Sequence, residues 1–113
     1  MLEKVERMVM LKDFYGPLLT DKQQMVLNLY YENDWSLSEI ADNMKVSRQA
    51  IYDLLKRAEK SLEGYETSLS LVGKFLRTRK QIIEVYALLN SPTLDKQAIE
   101  ESLTILKDIA ELV

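Results

Sequence analysis

Lys45, Ser47, Arg48, Gln49, Tyr52, Lys56 and Arg57 fall close together in the middle of the chain. None of these side chains suggests catalysis at this spacing; together they suggest recognition. Arg can pair bidentately with guanine and Gln with adenine, while a Tyr hydroxyl or ring can meet a phosphate or a base. A Ser at the positive end of a helix dipole is a natural phosphate contact. Lys60 extends the same basic surface. A second set, Lys74, Arg77, Arg79 and Lys80, gives a net +4 within residues 73–80, the only basic cluster in the chain. On a helix, residues 74, 77 and 80 share a face that could grip an RNA or DNA backbone. The plainer reading of such a charge run is a solvated face.

Other chemistries are closed by composition. The 113 residues include no His and no Cys, which removes imidazole acid-base catalysis, thiol nucleophiles, Ser/His/Asp triads and the usual zinc and iron ligand sets. The carboxylates have no metal-ligand spacing. No cofactor, metal or enzymatic activity is expected. The longest charge-free stretch, residues 85–94, is too short to span a bilayer. The charged N-terminal segment lacks the apolar run of a signal peptide, so a cytoplasmic protein without membrane insertion is expected.

The elements that must position these residues all read as helices. With three glycines, two prolines, 47% apolar and 29% charged residues, the chain has globular proportions and little that interrupts a helix. Leu2, Val5, Met8, Val9 and Leu11 form a stripe over residues 2–14, stopped by Gly16-Pro17. Thr20-Asp21-Lys22-Gln23 and Ser36-Leu37-Ser38-Glu39 both fit the capping box, in which a hydroxyl takes the N3 amide and the N3 side chain reaches back. Asn33 is expected to end the helix that starts at Thr20, in a left-handed conformation. Leu37, Ile40, Ala41 and Met44 make a core face, and Ser47 caps the next helix, whose buried stripe is Ile51, Leu54, Leu55, Ala58 and Leu62. Two helices about three residues apart, with a small Ala41 where they cross, make a helix-turn-helix.

Leu55, Leu62, Leu69, Leu76 and Ile83 then recur every seven residues, accompanied by Ala58, Tyr65, Val72 and Tyr86. Gly64 and Gly73 leave open whether this extension is one helix or two. Ser91-Pro92 is expected to open a last helix with Ile99, Leu103, Leu106 and Ala110 on its apolar face. The expected organisation is a helix-turn-helix domain over residues 1–63 and a helical extension over 64–113, folding as one cooperative unit. The heptad leucines are expected to be a homodimer seam, since such a face exposed on a monomer is an aggregation liability. Charge tempers the nucleic-acid reading: residues 20–66 hold six basic and nine acidic side chains, and Asp53 falls on the reading face.

The stretch "LTDKQQMVLNLYYENDWSLSEIADNMKVSRQAIYDLLKRAEKSL", residues 19–62, resembles region 4 of bacterial sigma factors. With "RMVMLKDFYGPLLTDKQ", residues 7–23, "LYY", residues 29–31, and "VSRQAIYD", residues 46–53, nearly the whole chain is similar to the YlxM family. That resemblance implies an all-α, sigma-region-4-like bundle and a small cytoplasmic protein that takes part in, or regulates, the signal recognition particle pathway. It implies as partners DNA or the particle's RNA, and the particle's proteins. An alternative is a protein adaptor that contacts the particle's GTPase, its receptor or RNA polymerase through the same surface. Sigma-like proteins carry Gly in the turn where this chain has Lys45, which must then hold a left-handed conformation at a cost of about 1 kcal/mol.

Overall fold

The computed structural model describes residues 2–112, and among them every regular element is helical. The chain is all-α. It divides into two compact units, Met1–Ser70 and Leu71–Val113.

The first unit consists of α1 (Leu2–Tyr15), a 3₁₀ turn (Gly16–Leu18), α2 (Asp21–Leu27) running on into a wide π-helical turn (Asn28–Glu32), α3 (Leu37–Met44) and α4 (Arg48–Leu69). Local chemistry sets the helix starts. Thr20 Oγ1 accepts the Gln23 amide at 3.2 Å while Gln23 Oε1 takes the Thr20 amide at 3.1 Å. Ser36 and Glu39 repeat the arrangement at 3.1 and 3.0 Å. Ser47 Oγ accepts the Ala50 amide at 3.0 Å. Each such cap is worth about 1 kcal/mol over Ala.

Helix α4 packs against α1, α2 and α3. Leu11, Val26, Leu27, Ile40, Ile51, Ala58 and Leu62 are almost wholly buried, and Ala41 is 3% exposed. The stripe expected on α1 begins only at Met8, since Leu2 and Val5 are exposed. Polar ties reinforce the packing. Glu59, 7% exposed, accepts the Tyr31 hydroxyl and lies 3.4 Å from both Lys4 and Lys56. Lys12, largely covered, donates to Asn28 Oδ1 and pairs with Glu32 at 2.6 Å. Arg7 grips Glu63 with two hydrogen bonds of 2.6 Å, and the Tyr15 hydroxyl donates to Glu66 at 2.5 Å.

Several sequence expectations are corrected. Asn33 is not left-handed: its amide closes the wide turn on the Asn28 carbonyl at 3.1 Å, and Asp34, at φ 57°, takes the left-handed position instead. Helix α4 continues through Gly64 and ends at Ser70, itself at φ 55°, so the expected boundary after residue 63 falls inside a helix. The extension is therefore interrupted at Ser70, and the seven-residue series spans two helices rather than one seam. Leu55 and Leu62 are spent in the core of the first unit, whereas Leu69, Leu76 and Ile83 are 45–57% exposed.

In the second unit α5 (Leu71–Leu89) and α6 (Lys96–Leu112) pack as a helical hairpin. Ser91-Pro92 forms a turn, in which Ser91 Oγ accepts the Thr93 amide at 3.3 Å. Asp95 caps α6 in its place, accepting the Ala98 amide at 2.8 Å. Ser102 is buried on α6, with Ala98, Ile105 and Ile109 half-buried on the same side. The apolar face expected on that helix is largely open, with Ile99, Leu103 and Leu106 43–60% exposed.

Two carboxylates link this fold to pH. The Ser36 backbone amide and hydroxyl hold Glu39 below its ordinary value of 4.5, and the Arg7 guanidinium does the same for Glu63. A carboxylate depressed in the folded state contributes stability that is complete above its unfolded pKa and is lost as pH falls through the folded one. The denaturation midpoint is therefore expected to drop as pH falls below about 4.5. Glu39→Gln keeps the capping hydrogen bonds without titrating, as Gln23 does at Thr20, and should give a shallower acid limb in urea titrations across that range. An acid limb as steep as the parent's would remove Glu39 from the account.

Candidate nucleic-acid interface

Helices α3 and α4 meet through Lys45, Val46 and Ser47. Lys45 ends α3 at φ 58°, ψ 44°; the Val46 amide reaches the Ala41 carbonyl at 3.1 Å and the Lys45 amide reaches Asp42 at 3.4 Å. This is the Schellman arrangement, usually closed by Gly. A Cβ in that conformation costs about 1–2 kcal/mol, so the turn is formed against the preference of its own residue. What Lys45 supplies that Gly would not is an exposed ammonium at the corner preceding α4.

From that corner the chain enters α4 at Ser47. Its Oγ already accepts the Ala50 amide, which leaves the hydroxyl proton to donate outward. The structure brings all seven candidates of this region, Lys45, Ser47, Arg48, Gln49, Tyr52, Lys56 and Arg57, onto exposed positions of the turn and the first turns of α4. They are unequally available. Gln49 Nε2 donates to Asp53 Oδ1 at 3.0 Å. Lys56 is drawn to Glu59 at 3.4 Å, with its ammonium 5.5 Å from the centre of the Tyr52 ring. Among the described residues Lys45, Arg48 and Arg57 carry no ion pair, so they are the charges readiest to meet a phosphate. Asp53, which sequence reading set on this face as a repulsive charge, is exposed there and occupied in holding the Gln49 amide.

One cation of this region escaped sequence reading. Lys22, on α2, lines the same cleft as Arg57. The two are far apart in sequence and no local pattern joins them; only the packing of α2 against α4 does so.

The second basic set lies on α5. Lys74, Arg77, Arg79 and Lys80 are all exposed, and none has an ion pair among the described residues. Residues two apart on a helix do not share a face, so Arg77 and Arg79 point apart and the cluster is split around the helix. No group of three His, Cys, Asp or Glu side chains among the described residues could hold a metal ion. No helix there is long and apolar enough to cross a membrane.

Residues 2–109 match the profile of the family UPF0122, described as "Putative helix-turn-helix protein, YlxM / p13 like". Among relatives, a UPF0122 protein of Desulforamulus reducens is 43% identical over 112 residues, covering 97% of this chain and 96% of the relative. One of Listeria welshimeri is 44% identical, covering 96% and 99%. One of Halalkalibacterium halodurans is 48% identical, covering 91% and 90%.

The strained turn yields a test. Lys45→Gly is expected to raise the unfolding free energy by about 1 kcal/mol by relieving the left-handed side chain. If Lys45 meets a phosphate, the same change weakens duplex binding. Chemical denaturation and a mobility-shift titration of one protein preparation measure both; destabilisation by Lys45→Gly would contradict the strain.

Proposed function

The chain belongs to the UPF0122 family, and on that footing we propose that it is a non-enzymatic regulatory protein that binds nucleic acid through the turn and first turns of α4. The observation that carries this reading is the capped, exposed start of α4, where Lys45 and Arg48 carry no ion pair among the described residues and the Ser47 hydroxyl, accepting the Ala50 amide, keeps its proton to donate. Arg48 is the base-reading candidate, and Lys45 and Ser47 are the phosphate contacts. Affinity is modest, because Asp53 lies on the reading face and acidic side chains outnumber basic ones around it. The proposal includes a cytoplasmic role in the signal recognition particle pathway, which the resemblance of residues 7–23 and 46–53 implies. In that setting the particle's RNA is a candidate ligand beside DNA.

A second copy of the chain is part of the proposal. Helix α6 is apolar on two sides, and α5 occupies only one. Leu76, Ile82, Ile83 and Tyr86 on α5, with Ile99, Leu103 and Leu106 on α6, remain 43–69% exposed. Exposed apolar side chains of this number on two packed helices are what an interface with a second copy would cover. Homodimerisation through the second unit covers this surface.

Two experiments test these statements. Arg48→Ala combined with Lys56→Ala is expected to weaken duplex binding by roughly tenfold or more, and the parent's affinity should fall steeply with salt. A loss with Arg77→Ala and Arg79→Ala instead would move the contact to α5, and salt-independent binding to a protein alone would favour the adaptor reading. In sedimentation at micromolar concentration the parent is expected to be a dimer and Leu103→Glu a helical monomer. A monomeric parent would overturn the dimer.

A further inference from the structure

Helix α4 has a second usable flank. Ala50, Leu54 and Arg57, at i, i+4 and i+7, share a stripe distinct from that of Arg48 and Tyr52. Along it lies an open cleft of about 330 Å³, bounded by α2, the end of α3, the turn and α4. Met44, Val46, Ala50 and Leu54 supply apolar walls, and Lys22 and Arg57 stand at the rim. Val46, the residue after the left-handed Lys45, is 43% exposed although a turn residue of this type usually packs inward.

The cleft's chemistry specifies its occupant. Its volume falls within the roughly 300–1,000 Å³ of ordinary ligand clefts. The apolar walls gain from an aliphatic or aromatic group, and a phosphate backbone would leave them unmatched. Lys22 and Arg57 carry no ion pair among the described residues. The carboxylate on the same lining, Asp53, is taken up by Gln49 at 3.0 Å. Asp53 keeps its charge in that hydrogen bond, so the lining pairs an apolar interior with two cations against one carboxylate, on a chain whose overall charge is −3.

We propose that this cleft is a docking site for a partner protein's acidic amphipathic segment, which inserts an apolar side chain between Val46 and Leu54 and sets a carboxylate against Lys22 and Arg57. This is recognition of an amphipathic helix by a groove. Arg48 lies on a different stripe of α4, but Arg57 belongs both to the cleft and to the cations open to a phosphate, so the segment and a nucleic acid that reaches Arg57 compete for it.

The test uses the full chain with labelled methyl groups and a short amphipathic peptide with Leu on one face and Glu on the other. Its control carries Lys in place of Glu. The Glu peptide is expected to shift the Met44, Val46 and Leu54 methyl resonances, and the Lys peptide to leave them in place. Lys22→Glu with Arg57→Glu, both exposed and away from the core, should weaken Glu-peptide binding on the order of tenfold, as reversing two rim charges would. Circular dichroism confirms that the double variant is folded. The proposal is overturned if neither peptide moves those methyls, if both move them equally, if the double variant binds the Glu peptide as the parent does, or if only a DNA duplex moves them.

Discussion

Glu59 is a carboxylate almost fully withdrawn from water, and the arrangement of the first unit follows from what it requires. A buried charge is tolerated only when it is paired and hydrogen-bonded. Glu59 meets this with Tyr31 from the wide turn, Lys4 from α1 and Lys56 from its own helix. Burial, and then the hydrogen bond to Glu59, push the Tyr31 phenol far above its ordinary value of 10.0, which keeps the proton that Tyr31 donates to Glu59. The three donors come from different parts of the chain, so the rotation of α4 is tied to α1 and to the turn after α2. The outward direction of Arg48 and Gln49 depends on that rotation. Lys12, held by Asn28 and Glu32, fixes the same turn from the α1 side.

Much of this was legible in the residues. The capping residues Thr20, Ser36 and Ser47 could be read because a cap depends on a few neighbours, and all three act as their spacing indicates. Lys45 was legible for the same reason: a helix-turn-helix turn demands a left-handed residue, and Lys45 occupies that position. The failures concern signals that are not local. The seven-residue series counted across Ser70, whose left-handed backbone nothing in its composition announces, and so it joined core residues of one unit to exposed residues of another. At the start of α6 two caps competed, Ser91 and Asp95, and the later one sits where the turn releases the chain into a helix.

Part of the candidate interface was legible, chiefly its membership. Sequence supplied the seven side chains, but it could not weigh them, because availability depends on pairing. Gln49 with Asp53 and Lys56 with Glu59 are side-chain contacts set by rotamer and neighbour. They divide a row of similar-looking polar residues into those engaged at home and those open to a ligand. Lys22 lay outside the row altogether, since its nearness to Arg57 exists only after α2 has packed on α4.

The wide turn at residues 28–32 carries a consequence for how such a chain can change over generations. Its ring, closed from the Asn33 amide to the Asn28 carbonyl, has the geometry left by adding one residue to an α-helix. The wider ring takes up that residue locally; wound as a regular spiral at the same length, where each residue turns the chain by about 100°, the stretch would rotate Tyr31 relative to Glu59. Side chains facing solvent between α2 and α3 can drift with little penalty. The width of the turn is less free to change, because Tyr31 meets Glu59 from within it.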